Sequence, residues 1–226
     1  ARSDLAAAHL RSTVQAARYV EGTVHAVGVG SAALRASPSE TARLETQLFF
    51  GERFTVYDAK DGWAWGQCAF DGYVGYVHER DLGPEGPPAT HRVTALFSHI
   101  YATGDVKAAA LRRLPMNAKL AFGDVGPKFA VLAGGGFVPA PHIAPLADKA
   151  GDFVATAELL LGTPYLWGGR SPDGIDCSGL VQAALERAGV AAPRDSDMQE
   201  RELGVAVDGG VGALLRRGDL VFWADH

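Results

Sequence analysis

Two cysteines and two methionines in 226 residues leave this chain short of the means for several common architectures. So few cysteines exclude a disulfide scaffold and the four-cysteine type of zinc site. No apolar run reaches the roughly 18 residues that a membrane-crossing helix needs, so no membrane partner is expected. An excess of positive charge is missing too: 21 Lys and Arg stand against 26 Asp and Glu, for a net charge of −5. A surface built to hold phosphates is therefore not expected, nor is a nucleic-acid partner. The seven histidines show neither HExxH nor another ligand spacing, so no metal or other cofactor is expected. The first 22 residues lack the long apolar core and small-residue cleavage site of a secretory signal. That favours a cytoplasmic location, with a periplasmic or secreted one as the alternative.

What remains is a globular composition, 47% hydrophobic and 21% charged, with 28 Gly and 12 Pro that point to short strands and many loops. Leu5, Leu10, Val14, Ala17 and Val20 fall at helical spacing, which predicts a docking helix or arm over residues 1–22. Residues 23–82 alternate in strand fashion. Thr46–Phe50, Arg53–Tyr57, Trp63–Gln67 and Tyr73–Val77 are separated by turn signals at Asp58–Gly62 and Asp71-Gly72, as in a small barrel. Trp63 and Trp65 share a parity and are expected on the barrel face, with Cys68 of opposite parity as inert packing. Gly83–Pro88 is a linker. Residues 89–143 repeat the theme more faintly, with strands expected at His91–Thr94, Ala118–Phe122, Phe129–Leu132 and Gly136–Val138. The sequence GGGFVP echoes DGYVGYV, so two tandem barrels are expected.

From about residue 146 the pattern turns helical. Phe153, Ala157, Leu160 and Leu161 share a face up to Gly162, and a second helix runs from Ser178 to Ala188, with Gly189 beyond its end. Leu220–Trp223 reads as a buried strand close to the end of the chain. A strand there wants a closing partner, so the sequence is expected to continue beyond His226. Cys177 opens the second helix, where free backbone N–H groups and the helix dipole favour a thiolate, the nucleophile that acyl transfer uses. On residue type alone a lone cysteine is more often a small buried hydrophobe. Gly168, Gly169, Gly174 and Gly179 around it would let a substrate approach the backbone closely.

Taken together, TPYLWGG, GIDCSGLVQAAL, APRDSDMQ and RRGDLVFWADH, spread over residues 146–226, resemble the signature blocks of the NlpC/P60 cysteine peptidases. The stretch TQLFFGERFTVYDAKDGWAWGQCAFDGYVGYV is similar to the bacterial SH3-like domain that precedes the peptidase in members that cut murein peptides. The resemblance implies an α+β protein: a papain-like NlpC/P60 domain preceded by two small all-β SH3-like barrels. It implies Cys177 as nucleophile and His226 as general base, with a third polar residue beyond the end of the sequence. It also implies hydrolysis of the bond between γ-D-Glu and a diamino acid, in a murein tripeptide or tetrapeptide whose N-terminal L-Ala is free, as in cell-wall peptide recycling. Glu52 and Tyr73 of the first barrel, or Tyr76 in place of Tyr73, would then hold the ammonium. Asp176 would be its salt-bridge partner or the helix cap, Tyr165 would line the same subsite or pack in the core, and Ser178 and Ser196 would bind the α-carboxylate of γ-D-Glu. Arg194 is expected as a solvated surface residue. Two other functions fit the same pattern: an exported hydrolase of intact wall, and a wall-peptide-binding module without catalysis. The oligomeric state is not legible.

Overall fold

The computed structural model describes residues 2–207 and 214–223. The chain opens not on a helix but on a short parallel ladder, with β1 (Leu5–Ala7) beside β2 (Arg18–Val20) and one 3-10 turn between them. Leu5, Ala6 and Ala7 are all buried. A one-faced helical stripe cannot bury three consecutive residues, whereas an arm lying on a barrel can. Arg2 docks this arm by bonding Asp58 at 2.6 Å and lying over the Trp65 ring.

The first barrel comprises β3 (Thr23–Val27), β4 (Ser31–Arg35), β5 (Leu44–Phe49), β6 (Arg53–Lys60), β7 (Trp63–Cys68), β8 (Val74–His78) and β9 (Leu82–Pro84), in the order β5-β4-β8-β7-β6-β3-β9. β6 and β7 extend further than the alternation suggested. The turn between them is only Asp61-Gly62, both at positive φ, the two-residue hairpin loop whose twist matches that of the strands. Val27, Leu34, Leu48, Phe54, Ala64, Cys68 and Val77 fill the interior. The tryptophans face outward: Trp65 is covered by Arg2, and Trp63 stacks on His78.

The second barrel repeats the plan. β10 (His91–Val93), β11 (Phe97–Tyr101), β12 (Ala110–Pro115), β13 (Lys119–Leu120), β14 (Phe122–Val125), β15 (Phe129–Leu132), β16 (Phe137–Pro139) and β17 (Ile143–Pro145) form two sheets. Their orders are β12-β11-β16-β15-β14 and β13-β10-β17. The first order matches β5-β4-β8-β7-β6 strand for strand, and β10 with β17 matches β3 with β9. The echo of DGYVGYV in GGGFVP is thus the shared strand β8/β16.

The barrels are not beads on a string. Phe49 leaves β5 of the first barrel to enter the core of the second, beside Val93, Leu114, Leu120 and Val138. The Lys119 N–H donates to Phe50 O at 2.8 Å. Met116 of the second barrel in turn joins Leu160, Ile175 and Ala183 of the C-terminal unit. That unit holds α1 (Phe153–Glu158), the hairpin β18 (Arg170–Ser171) and β19 (Gly174–Ile175), α2 (Cys177–Arg187) and α3 (Ser196–Glu202), so the protein is α+β. α1 stops at Glu158 and leaves Leu161 exposed, because only Leu160 finds a core to enter. Residues 220–223 are not a strand, since no described segment runs alongside to pair with their backbone.

Candidate active site

α2 is the central element of the C-terminal unit. Asp176 caps it by accepting from Gly179 N–H at 2.7 Å, and Gly189, at positive φ, follows its last turn. Most of its residues are buried, yet Cys177 at its first position is exposed and unpaired. A capped, buried helix therefore offers one thiol to solvent, with the unpaired backbone N–H groups of its first turn beside it.

The loop before the hairpin fits tightly against this helix start. The Leu166 N–H donates to Ile175 O, the Ile175 N–H to Pro164 O, and the Gly168 N–H to the second carboxylate oxygen of Asp176. Gly168 has φ +77°, and a Cβ there would strike Leu44 of the first barrel. A Cβ on Gly179 would meet Gly169 O, and one on Gly169 would meet Gly174 O. These glycines let protein backbone approach protein backbone, rather than opening the site to substrate.

The residues expected to bind substrate divide into two groups. Tyr165 is 68% exposed, and burial followed by its neighbours Cys177 and Asp176 holds its hydroxyl above the usual tyrosine range. Tyr73 is half-buried and donates to the Asp195 carboxylate at 3.1 Å, and burial with that carboxylate pushes its pKa up to about 12. Ser196 is partly exposed at the first position of α3. Ser178 and Asp176 are buried and already engaged. Arg194 donates to both carboxylate oxygens of Asp176, at 3.0 and 2.6 Å, and to the Ser178 hydroxyl at 2.8 Å. Tyr76 lies within 3.4 Å of Arg2, under the N-terminal arm. His226 lies outside the described residues.

Two expectations are corrected. Glu52 is only 4% exposed. Its carboxylate accepts from Phe49 N–H at 2.9 Å and pairs with Arg170, so it is not free to meet an ammonium. Arg170 is itself buried between the Phe49 and Phe70 rings and also pairs with Glu186, which Lys119 of the second barrel meets in turn. This cluster of two carboxylates and two cations joins all three units. Burial pushes the Glu52 carboxyl above its usual range despite Arg170. Arg194 is not a solvated residue but 3% exposed, with its Nε donating to Thr46 of the first barrel at 3.0 Å. Its partners lie far away in sequence, so no local pattern could have revealed them.

Sequence reasoning also missed the wall around Tyr73. A cavity of about 540 Å³ between the first barrel and the C-terminal unit is lined by Glu45, Asp71, Tyr73, Arg194, Asp195 and Met198, among others. Of its three acids, Asp71 bonds the Tyr73 N–H and Gln182, and Asp195 accepts from Tyr73. Arg43 takes one oxygen of Glu45 twice. Glu45 sits on the parity of β5 opposite the core residues Thr46 and Leu48, which is the signal that could have singled it out.

Residues 34–82 match the model of the bacterial dipeptidyl-peptidase Sh3 domain, and residues 162–226 that of the NlpC/P60 family. A γ-D-glutamyl-L-lysine dipeptidyl-peptidase of Bacillus cereus is 31% identical over 209 residues, which cover 80% of this chain and 60% of the relative. One from Bacillus subtilis, with the same name, is 27% identical over 195 residues, covering 80% and 64%. The chain thus spans less than two thirds of the length of these curated relatives. The crystal structure of an NlpC/P60 family protein from Bacillus cereus superposes with a TM-score of 0.71 at 22% identity, over 82% of this chain and 79% of that one, which is a likeness of fold.

Proposed function

From its matches to the bacterial dipeptidyl-peptidase Sh3 domain and to the NlpC/P60 family, we propose that this chain is a cysteine peptidase of murein peptides. It hydrolyses the amide between γ-D-Glu and the diamino acid of a tripeptide or tetrapeptide whose N-terminal L-Ala is free, as wall-peptide recycling requires. The observation that carries this reading is the exposed Cys177 thiol at the start of an otherwise buried helix.

The Cys177 thiolate attacks the carbonyl carbon of the γ-D-Glu amide, and backbone N–H groups at the start of α2 hold the developing oxyanion. The C–N bond breaks as His226 gives a proton to the departing amine. The resulting thioester is then cleaved by water that His226 deprotonates, which frees the L-Ala-γ-D-Glu acid and returns the thiol. Tyr165 and Ser196 line the path of the peptide. The ammonium of L-Ala enters the acidic cavity between the first barrel and the C-terminal unit, where Tyr73, Glu45 and Asp195 supply the acceptors that a cation leaving water needs. A blocked amine loses both the charge and the fit.

The test is product mass after the full-length protein meets L-Ala-γ-D-Glu-diaminopimelate with a free or an N-acetylated amine. Release of L-Ala-γ-D-Glu from the free peptide alone is expected. Equal cleavage of both refutes recognition of the ammonium and favours a hydrolase of intact wall, and cleavage of neither favours a binding module.

A further inference from the structure

Arg194 has no role in the chemistry just described, yet it is held on every side. A guanidinium has five N–H donors, and here each is directed at an acceptor. Nε reaches Thr46, one terminal nitrogen reaches Asp176 and Ser178, and the other reaches Asp176 again and Gly169 O at 3.5 Å. Thr46 is fully buried in the first barrel. Arg194 therefore grips the residue before the nucleophile, the residue after it and the adjoining loop, and ties all three to another domain.

Charge gives this grip a consequence. Asp176 is a buried carboxylate one residue from Cys177, and an unopposed negative charge at that distance disfavours a second one on sulfur. The charged and polar groups gathered at this helix start are Asp176 before Cys177, Arg194 on the segment before α3, which is paired to Asp176, and Tyr165 on the preceding loop, whose hydroxyl is raised by burial and then by Cys177 and Asp176. Arg194 is the one cation of the three. We propose that Arg194 is a positioning residue: by clamping Asp176 with a two-pronged ion pair, it cancels the charge that would oppose formation of the Cys177 thiolate while leaving Asp176 in place as the helix cap. Lysine could supply the charge but not the fork.

The inference rests on Cys177 as the reactive thiol, but it is tested without any peptide, so its failure is separable from failure to cleave murein peptides. The rate of iodoacetamide alkylation at Cys177 is followed against pH in the full-length protein, read from the mass of the Cys177 fragment. In Arg194→Gln the midpoint is expected to rise by about one unit or more. In Asp176→Asn, which keeps a capping side chain, it is expected to fall, and in the double variant to return to within about half a unit of the parent. Should Arg194→Gln fail to fold, the rise of the midpoint from Asp176→Asn to the double variant, which leaves no buried charge without its partner, still decides the matter. A merely structural role for Arg194 would lower unfolding temperatures while its substitution left the midpoint unchanged, in the parent and in Asp176→Asn alike. A folded Arg194→Gln with the parent midpoint, or a double variant with the midpoint of Asp176→Asn, overturns the proposal.

Discussion

Replacing Arg170 with Met tests how the three units are held in register. The guanidinium is 3% exposed, and its loss leaves Glu52 and Glu186 facing each other in a buried space with Lys119 as the remaining cation. Removing one partner of a buried ion pair costs about 3–5 kcal/mol, because the other charge stays out of water without compensation. At about 2–4 °C per kcal/mol for a chain of this size, the unfolding temperature should fall by about 6–20 °C. Glu52→Gln should be much milder, since Arg170 keeps Glu186 and its two phenylalanine faces. Its cost should also depend on pH in a defined direction. The folded Glu52 carboxyl lies above its unfolded value, so its contribution is full in acid and is lost as pH rises through the folded value. The penalty of Glu52→Gln should therefore shrink from about pH 4.5 upward. Thermal unfolding followed by tryptophan fluorescence over a pH series reads all of this. An Arg170→Met protein that melts within about 2 °C of the parent, or a Glu52→Gln penalty that grows with pH, would refute the reasoning.

Three further outcomes follow from the same structure. Phe49→Ala should cost about 3–5 kcal/mol and destabilise both barrels together, because the side chain leaves one barrel to fill the core of the next. Coincident fluorescence and circular dichroism transitions check this. In the native protein iodoacetamide should label Cys177 and spare Cys68, whose thiol burial holds well above the usual range, with Cys68 reacting only on unfolding. Tyr73→Phe should raise KM for the free-amine peptide by about tenfold with kcat little changed, the loss of one hydrogen bond to a charged group. An unchanged KM would remove Tyr73 from the subsite.

Where local chemistry decided the structure, the sequence could be read directly. Asp176 and Gly189 bracket α2, and the alternation around Asp61-Gly62 marks the hairpin of β6 and β7. β11 and β12 were hidden because Ser98, His99, Arg112 and Arg113 break the apolar pattern and the burial there is supplied by neighbouring strands. Of the docking helix or arm expected over residues 1–22 the structure has the arm, a choice that five apolar residues at helical spacing could not make without the barrel surface on which Leu5–Ala7 lie. At the site, the place of Cys177 at the start of α2 was legible from the sequence. Glu52 and Arg194 were assigned to solvent or substrate because a charged residue is exposed by default. Their partners, Arg170 and Asp176 with Thr46, are brought to them only by the packing of one domain on another.

The central claim is that the Cys177 thiol cleaves the amide between γ-D-Glu and the diamino acid. It is tested most directly by incubating the full-length protein and its Cys177→Ala variant with L-Ala-γ-D-Glu-diaminopimelate and weighing the products. The account predicts L-Ala-γ-D-Glu and free diaminopimelate from the parent, and nothing above background from the variant. Cleavage by Cys177→Ala at the parent rate, or fragments from a different bond, would contradict it.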